Sequence, residues 1–367
     1  MILGVLPAVG SGLDTMARAG QLGRLGEYMR AWRGGFEVRY FSYLNAEVEF
    51  PCADRLADHQ ANGSIDTFCL LCNPWRLPPW RAIFRPLGKE REWWHDLSAI
   101  RCLNLVAAIP ALTANLVWRT PFVVSLGADY EAIARIHGDG GQVWKWRLLR
   151  ALVLRRAAAV IVPNPVQAAR LQARHPRARI VDLPNWVDTE HFCPRPRPEA
   201  APPNIVLCWG RLVAEKNLPR AARACIAAGA VLGCIGDGPE RNAIIRAGGM
   251  VKASVSHDLL PTATAYAFAF ILPSLSEGHP KALLEAMALG HPCLVSDRVE
   301  GVVEHERTAL VFGAKDEASM RAAIERLLRD PALARRLGQA ARAEAEAKYA
   351  KAPILAREVA LLREVAR

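Results

Sequence analysis

The stretch that decides the fold lies in the second half of the chain, where residues 268–292 read FAFILPSLSEGHPKALLEAMALGHP. An apolar run ends at Pro273, and a polar loop follows it. A helix is predicted to open near Pro280 and to close at Gly290, because proline suits a first helical turn and glycine the position after the last one. The order strand, loop, helix is typical of domains with a parallel sheet. The stretch therefore predicts an α/β fold.

Short apolar runs of similar length recur in both halves of the chain and indicate further strands. They cover residues 2–9, 121–125, 159–162, 205–209, 230–235 and 293–295. Runs of this length without polar alternation are typical of strands that are covered on both faces. Ligands of parallel sheets bind beyond the carboxyl ends of the strands. We therefore expect the functional residues directly after these runs.

The length of 367 residues favours two domains. Residues 194–203 are rich in proline, which predicts a stiff, extended connector and a natural boundary. The expected domains are an acceptor domain over residues 1–193 and a donor domain over residues 194–345. The tail, residues 346–367, is predicted to be a separate helix because it is rich in helix-forming residues. One option for this helix is a return to the first domain.

Composition limits the compartment and the partners. The net charge of +11 favours an anionic partner, which can be a nucleic acid, a membrane surface or nucleotide phosphates. Nine cysteines in a chain of this length indicate reduced thiols, and Cys69 and Cys72 are interpreted as buried thiols without a metal. The start of the chain lacks the basic residues of a signal peptide. The uncharged run 102–118 is predicted to be a buried helix that kinks or ends at Pro110, so we expect a cytoplasmic protein without a membrane span.

Three segments that follow strands carry candidate chemistry. Glu277 and Glu285 lie eight positions apart, on the predicted loop and helix, and carboxylates accept hydrogen bonds from sugar hydroxyls. Arg211 and Lys216 follow the run 205–209 and could both reach a diphosphate. Residues 236–239 read GDGP and indicate a turn. Taken singly, each segment is equally compatible with a solvated loop, a turn or a capped surface helix.

Taken together, the segments resemble the retaining GT-B glycosyltransferases of family 4. Residues 210–216 match that family's GRL-x-x-EK motif, and the turn 236–239 matches its GDGP motif. Residues 277–292 match EG-x-P-x-x-x-LEA-x-A-x-G-x-P, and residues 185–194 resemble NGVDT-x-x-F-x-P with Trp186 in place of glycine. Residues 301–304 resemble the family's later G-x-x-E. The resemblance is close from about residue 160 to residue 311 and weak before it.

The resemblance implies a GT-B fold, in which two Rossmann-like domains face each other across a donor cleft. It also implies that Arg211 and Lys216 bind the donor diphosphate, that Glu277 contacts the transferred sugar, and that Glu285 binds the ribose. The remaining donor-binding residues that it implies are Gly12, Gly210, Gly236, Gly278, His279, Pro280 and Leu283. Such enzymes retain the anomeric configuration and usually need no metal or other cofactor.

The chain departs from the family pattern in the first domain. The family often has HG-x-D after a strand, and residues 126–129 read LGAD here. Asp129 matches the motif, whereas Leu126 replaces the histidine that approaches the sugar. We therefore expect Asp129 or backbone groups to contact the sugar. An unusual sugar or impaired activity are the other outcomes that this replacement allows.

Two segments of the first half alternate basic and aromatic residues. Residues 73–94 include Trp75, Trp80, Trp93 and Trp94 among arginines, and residues 144–156 read WKWRLLRALVLRR. Basic amphipathic helices with tryptophan suit an anionic membrane surface. The alternative is that the tryptophans pack in the core and that the basic residues are solvated. The sequence contains no signature of a nucleic-acid-binding module, so we expect no nucleic-acid partner.

The resemblance and these segments predict a glycosyltransferase. It would use a nucleoside-diphosphate sugar and a glycan or lipid-linked acceptor, in the synthesis of cell-envelope polysaccharide or lipopolysaccharide. The enzyme would be cytoplasmic, with the inner face of the cell membrane as a further option. The alternatives are a nucleotide-sugar epimerase, a non-catalytic nucleotide-sugar-binding protein and a dinucleotide-dependent oxidoreductase. Against the last of these, Thr15 stands where the third glycine of the dinucleotide motif is expected.

Overall fold

The computed structural model describes residues 1–7, 12–18, 22–44, 47, 49, 51–53, 68–72, 86–88, 91–127, 131, 134–135, 138 and 140–366. The chain divides into two compact units. The first unit comprises Met1–Gly127, Gly141–Leu183 and Leu355–Arg367, and the second is built mainly on Pro184–Ile354. Each unit has its own parallel sheet.

The first unit contains a seven-stranded parallel sheet in the order β3-β2-β1-β4-β5-β6-β7. Its strands are β1 (Ile2–Leu6), β2 (Glu37–Phe41), β3 (Phe68–Leu71), β4 (Ala99–Cys102), β5 (Phe122–Ser125), β6 (Ala159–Val162) and β7 (Ile180–Asp182). The helices described with this sheet are α1 (Leu13–Arg18), α2 (Leu22–Arg33), α3 (Arg91–His95), α4 (Ala108–Trp118), α5 (Gly140–Arg156) and α6 (Pro165–Arg174).

The second unit contains a six-stranded parallel sheet in the order β10-β9-β8-β11-β12-β13. Its strands are β8 (Ile205–Trp209), β9 (Val231–Ile235), β10 (Met250–Lys252), β11 (Ala269–Leu272), β12 (Cys293–Ser296) and β13 (Leu310–Phe312). Its helices are α7 (Leu218–Ala227), α8 (Arg241–Arg246), α9 (Leu260–Thr264), α10 (Lys281–Ala288), α11 (Glu317–Arg329) and α12 (Pro331–Tyr349). The last helix of the chain is α13 (Lys351–Val365).

The strands of the second sheet are covered on both faces, as the apolar runs predict. Val206 and Cys208 of β8 pack into one buried cluster, whereas Leu207 and Trp209 pack into the cluster on the opposite side. Helices α7 and α11 contribute to the first cluster, and helices α10 and α12 to the second. The predicted fold class, with two Rossmann-like parallel sheets of the GT-B type, is thus confirmed.

Both sheets have a point at which the strand order reverses. In the second sheet, β8 pairs with β9 on one side and with β11 on the other. The connections that leave β8 and β11 therefore run in opposite directions and leave a crevice beyond the carboxyl ends of these two strands. The residues that follow β8 and β11 are those on which the sequence predicts the donor site.

The uncharged run 102–118 differs from its prediction. It contains the end of β4 and then α4, in which Pro110 occupies the first turn. Proline neither kinks nor ends a helix there, because its missing N–H has no partner within the helix at that position. The helix is also not wholly buried, since Leu116 and Val117 are exposed. None of the described helices combines the length and apolar character that crossing a membrane requires.

The segment 184–193 belongs to the second unit. Arg342 of α12 contributes to this packing, because its guanidinium donates hydrogen bonds to the carbonyl oxygens of Thr189 and Phe192 at 3.0 and 2.6 Å. The same guanidinium donates to the carbonyl of Ala288 at the end of α10. One side chain therefore ties the segment before the proline-rich connector to two helices of the second unit.

The C-terminal part of α13 belongs to the first unit, from Leu355 onward. Glu358 there accepts a hydrogen bond from Nε of Arg101 on β4 at 2.8 Å, and both side chains are buried. The Arg101 guanidinium also donates to the carbonyl of Cys102 and to the hydroxyl of Ser125. Charged groups are stable inside a protein only when they are paired and hydrogen-bonded in this way. The ion pair thus fixes the end of the chain on the first sheet.

Candidate functional site

The candidate site lies beyond the carboxyl ends of β8 and β11. Arg211 and Lys216 follow β8, and Glu277 follows β11. The two loops are joined by a backbone hydrogen bond from the N–H of Leu275 to the carbonyl of Glu215 at 2.8 Å. The structure therefore brings together two segments that are about sixty residues apart in sequence and that the sequence predicts to share one site.

Lys216 and Glu277 form an ion pair between these two loops. The ammonium of Lys216 contacts the carboxylate of Glu277, and the hydroxyl of Ser274 donates to the same carboxylate oxygen at 2.8 Å. Both charged side chains are partly buried, with exposed fractions of 18% and 13%. Because an ammonium has three N–H donors, Lys216 can bind an anionic group while it remains paired with Glu277.

Arg211 extends into solvent at the edge of the crevice. Its side chain is 76% exposed, and its guanidinium lies 3.8 Å from the carboxylate of Glu215. An exposed guanidinium has the planar donor fork that fits phosphate oxygens, and little holds it in its present orientation. Arg211 is therefore a second cation that can reach a phosphate bound near Lys216.

Two glycines bring the backbones close together at the end of the sheet. A Cβ on Gly236 would lie 1.9 Å from the carbonyl oxygen of Gly210, so only glycine fits there. Gly210 has a φ of +125°, which favours glycine, and a Cβ on it would meet no atom within 4 Å. Open space in front of a strand-end glycine lets a ligand approach the main chain closely.

Glu285 is more enclosed than the sequence suggests. It lies on α10, is 6% exposed, and accepts hydrogen bonds from two side chains. The indole N–H of Trp209 donates to Oε2 at 2.9 Å, and Nε2 of His257 lies 3.0 Å from Oε1. Each carboxylate oxygen keeps a further acceptor position, so Glu285 can still bind a hydroxyl. Trp209 and His257 hold the carboxylate in a single orientation.

Trp209 and His257 were missed by the sequence reasoning. Trp209 is the last residue of β8, and in the sequence it resembles the end of an apolar core run. Its ring does pack on Phe270, with ring centroids 4.4 Å apart. His257 begins a short 3-10 turn after β10. Both residues stand at the carboxyl ends of strands, which is the signal that could have found them.

The start of α10 is built from buried residues. Gly278, His279 and Pro280 are buried directly before the helix, and the carbonyl of His279 accepts a hydrogen bond from the Asn185 amide at 2.7 Å. The His279 ring packs edge-on against Tyr349, with ring centroids 5.1 Å apart. Leu283 is fully buried in the core of the second unit. Gly278, His279 and Pro280 position the loop that carries Glu277. Leu283 anchors the helix that follows this loop in the core.

Gly12 and Asp129 are the residues of the predicted site that lie in the first half of the chain. Gly12 is buried before α1, and the backbone N–H groups of Leu13 and Asp14 donate to the carboxylate of Glu49 at 2.8 and 3.1 Å. These amides are engaged inside the unit, so a phosphate would have to displace Glu49 to reach them. Asp129 lies outside the described residues.

Burial keeps two cysteine thiols of the second unit protonated. Burial raises the pKa of the Cys208 thiol in β8 to about 12. Burial likewise raises the pKa of the Cys225 thiol to about 12. Thiols are nucleophiles and metal ligands only when they are deprotonated. Within the described part of the chain, no group of three His, Cys, Asp or Glu residues is arranged to hold a metal ion.

Comparison with known proteins finds similarity mainly in the second unit. Residues 194–344 match the family model described as "Glycosyl transferases group 1". An exopolysaccharide phosphotransferase of Streptomyces coelicolor is 29% identical over 282 residues, which are 72% of this chain and 29% of that protein. An alpha-D-kanosaminyltransferase of Streptomyces kanamyceticus is 32% identical over 166 residues, which are 40% of this chain and 42% of that protein. The chain therefore spans less than half the length of either curated relative.

Among solved structures, Anabaena HepE in complex with UDP-glucose is similar over 99% of both chains, with a TM-score of 0.74 and 16% sequence identity. Likeness at this level of identity concerns the fold, and it extends over both units. The match to the family model covers the segment that carries Arg211, Lys216, Glu277 and Glu285.

Proposed function

We propose that this protein transfers a sugar from a nucleoside-diphosphate sugar to a glycan or lipid-linked acceptor, with retention of anomeric configuration. The observation that carries the proposal is the Lys216–Glu277 pair, which joins the loops after β8 and β11 at the reversal point of the second sheet. A cation beside a carboxylate suits a ligand with both a phosphate group and sugar hydroxyls. The similarity to group 1 glycosyltransferases supports the same conclusion.

The donor would lie along the crevice of the second unit. Arg211 and Lys216 bind the diphosphate, and Gly210 and Gly236 let it approach the main chain. Glu277 accepts a hydrogen bond from a hydroxyl of the transferred sugar. Glu285 accepts hydrogen bonds from the ribose, and Trp209 and His257 orient it for this contact. The likeness to HepE, whose structure contains UDP-glucose, supports a donor of this chemical class.

The reaction breaks the bond between the anomeric carbon and the oxygen of the diphosphate. The bonding electron pair leaves with the diphosphate, where Arg211 and Lys216 stabilise the developing charge. The acceptor hydroxyl forms the new bond on the face that the leaving group vacates, and its proton passes to the departing phosphate oxygen. Two cationic side chains, Arg211 and Lys216, can neutralise the diphosphate, so we propose that the reaction needs no metal ion. Catalysis then consists of positioning and charge stabilisation.

The first unit would bind the acceptor. Asp129 would take the sugar contact that a histidine makes in the related motif, because Leu126 has no polar group for it. The names of the two curated relatives, an exopolysaccharide phosphotransferase and a kanosaminyltransferase, support an acceptor of the carbohydrate class. We propose a cytoplasmic enzyme of cell-envelope polysaccharide or lipopolysaccharide synthesis.

Substitutions of Glu277 and Glu285 should affect different kinetic constants. Glu285→Gln should raise the donor KM about tenfold and leave kcat almost unchanged, because the ribose contact is equally strong in the ground and transition states. Glu277→Gln should lower kcat by about tenfold to a hundredfold, because its hydroxyl contact positions the sugar as the glycosidic bond loosens. The measurement is release of nucleoside diphosphate, with the donor varied at saturating acceptor.

Both substitutions are close in shape, so a difference between them reports on chemistry and not on packing. A loss of kcat in Glu285→Gln with only a KM effect in Glu277→Gln would reverse the orientation of the donor. Unchanged kinetics in both variants would contradict the proposed site.

A further inference from the structure

Helix α5 of the first unit exposes an apolar stripe that its position in the fold does not explain. Trp144, Leu148 and Leu152 are 60%, 53% and 45% exposed. Residues four apart are displaced by about 40° around a helix, so the three side chains form one continuous strip along the outer face. Large apolar side chains that lie contiguous and exposed mark a surface that binds something.

The opposite face of α5 accounts for the packing of the helix. Val153 and Leu154 are buried in the first unit. The helix is therefore apolar on two sides, of which the inward one packs within the first unit. The outward strip is left exposed.

The charge on α5 indicates what kind of surface the helix binds. The helix sequence contains five basic residues and no acidic one. Lys145 and Arg156 flank the strip on one side, Arg147 lies on the other, and Arg155 lies within it, all of them exposed. A central apolar strip with tryptophan and a basic border matches an anionic lipid surface, in which the apolar residues enter the acyl boundary and the cations contact the headgroups. A second copy of this chain would bring the same cations together, which disfavours self-association.

Other exposed apolar residues lie on the same side of the first sheet. The connections from β3 to β4, β4 to β5 and β5 to β6 all advance in one direction across the sheet, so right-handed crossovers put α3, α4 and α5 on the same face. Trp93 of α3 is exposed, as are Leu116 and Val117 of α4. Trp94, in contrast, is fully buried against Phe41, so it cannot take part in the predicted membrane contact. Trp75 and Trp80 lie outside the described residues.

We infer that α5 docks the protein on an anionic membrane, with Trp144, Leu148 and Leu152 inserted at the lipid interface. The docking itself does not depend on the proposed function. If the proposed function also holds, a transferase on this surface would meet its acceptor in the membrane, so the docking selects the lipid-linked class over a free glycan.

The test compares flotation of the full chain with two kinds of vesicle, phosphatidylcholine alone and phosphatidylcholine mixed with phosphatidylglycerol. The wild type should bind the anionic vesicles, and binding should weaken as salt rises. Replacing Trp144, Leu148 and Leu152 together by serine should weaken binding by about tenfold or more, because serine removes the apolar area that each side chain would bury at the lipid interface. The matched control replaces Ile226, Ile245 and Met250, three exposed apolar residues of the second unit, by serine and should bind like the wild type.

A second variant removes charge and keeps the strip. This variant combines Lys145→Gln, Arg155→Gln and Arg156→Gln, and each change should lower binding to anionic vesicles by about fivefold, because each basic residue near such a surface contributes to the attraction. Binding of nucleoside diphosphate, measured by thermal shift without vesicles, should be unchanged in both variants, which separates the docking from the proposed function. Equal vesicle binding by the wild type and the serine variant would overturn the inference. A dimer of the wild type in sedimentation velocity that the serine variant converts to a monomer would also overturn it, because the strip would then bind a second copy.

Discussion

Lys216→Ala should lower donor turnover by about a hundredfold or more, because in the proposed mechanism it removes a cation from the position where the diphosphate gains charge. Arg211→Ala should have a smaller effect, on the order of tenfold, since the exposed Arg211 side chain must first be ordered by the ligand. The measurement is the rate of nucleoside diphosphate release at saturating acceptor. The Tm of each variant should be recorded with it, because Lys216 also pairs with Glu277.

The matched control for these variants is Arg223→Ala. Arg223 is an exposed arginine of α7 in the same unit, and it pairs with Glu317 outside the crevice. This variant makes the same change in net charge and should keep wild-type turnover, because exposed ion pairs add little. Equal losses in Arg223→Ala and Lys216→Ala would mean that overall charge, and not the position of Lys216, governs the rate.

Glu358→Ala should destabilise the protein by about 3–5 kcal/mol, because it leaves Arg101 buried without its counter-charge. For a unit of this size the loss corresponds to a fall in Tm of about 6–20 °C, which calorimetry can measure. Glu364→Ala is the matched control in the same helix. Glu364 pairs with Arg179 on the surface, so its loss should leave Tm nearly unchanged.

A double replacement tests the reason for this loss. Arg101→Met with Glu358→Leu removes both charges and keeps apolar volume, and it should recover much of the stability, because the cost arises from the unpaired charge. A single Glu358→Ala variant as stable as the wild type would show that the end of α13 contributes little to the first unit.

The strands of the second sheet could be predicted from the sequence because they are covered on both faces. The run 205–209 coincides with β8, and the runs before Gly236 and Pro273 end where β9 and β11 end. Such runs are distinctive because every residue must be apolar, whichever face it points to. The site loops could then be located from the rule that ligands bind beyond strand ends.

The contacts that complete the site could not be predicted, because they join residues distant in sequence. Trp209 reads as a core residue, and only the fold brings its indole N–H to Glu285, 76 positions away. Glu49 reaches the start of α1 from 36 positions away. The Arg101–Glu358 pair spans 257 positions. Charge and hydropathy patterns report local structure, whereas these pairings depend on how the strands are ordered.

Helix α5 illustrates a further limit. Its sequence is apolar on two faces, so periodicity alone does not tell which face packs on the sheet. The buried side chains of Val153 and Leu154 decide the question in favour of one face and leave Trp144, Leu148 and Leu152 outside. The same kind of ambiguity applied to Trp93 and Trp94, adjacent residues of which one is exposed and the other fully buried.

The most direct test of the central claim, that the crevice at β8 and β11 binds a nucleoside-diphosphate sugar, is a thermal shift measurement in EDTA. The wild type, Lys216→Ala and Arg223→Ala would each be heated with UDP, GDP or ADP. A ligand that binds the folded state raises Tm, so one of the three nucleotides should raise the Tm of the wild type and of Arg223→Ala, and should have little effect on Lys216→Ala. No shift of the wild type with any of the three, or an equal shift in Lys216→Ala, would contradict the account.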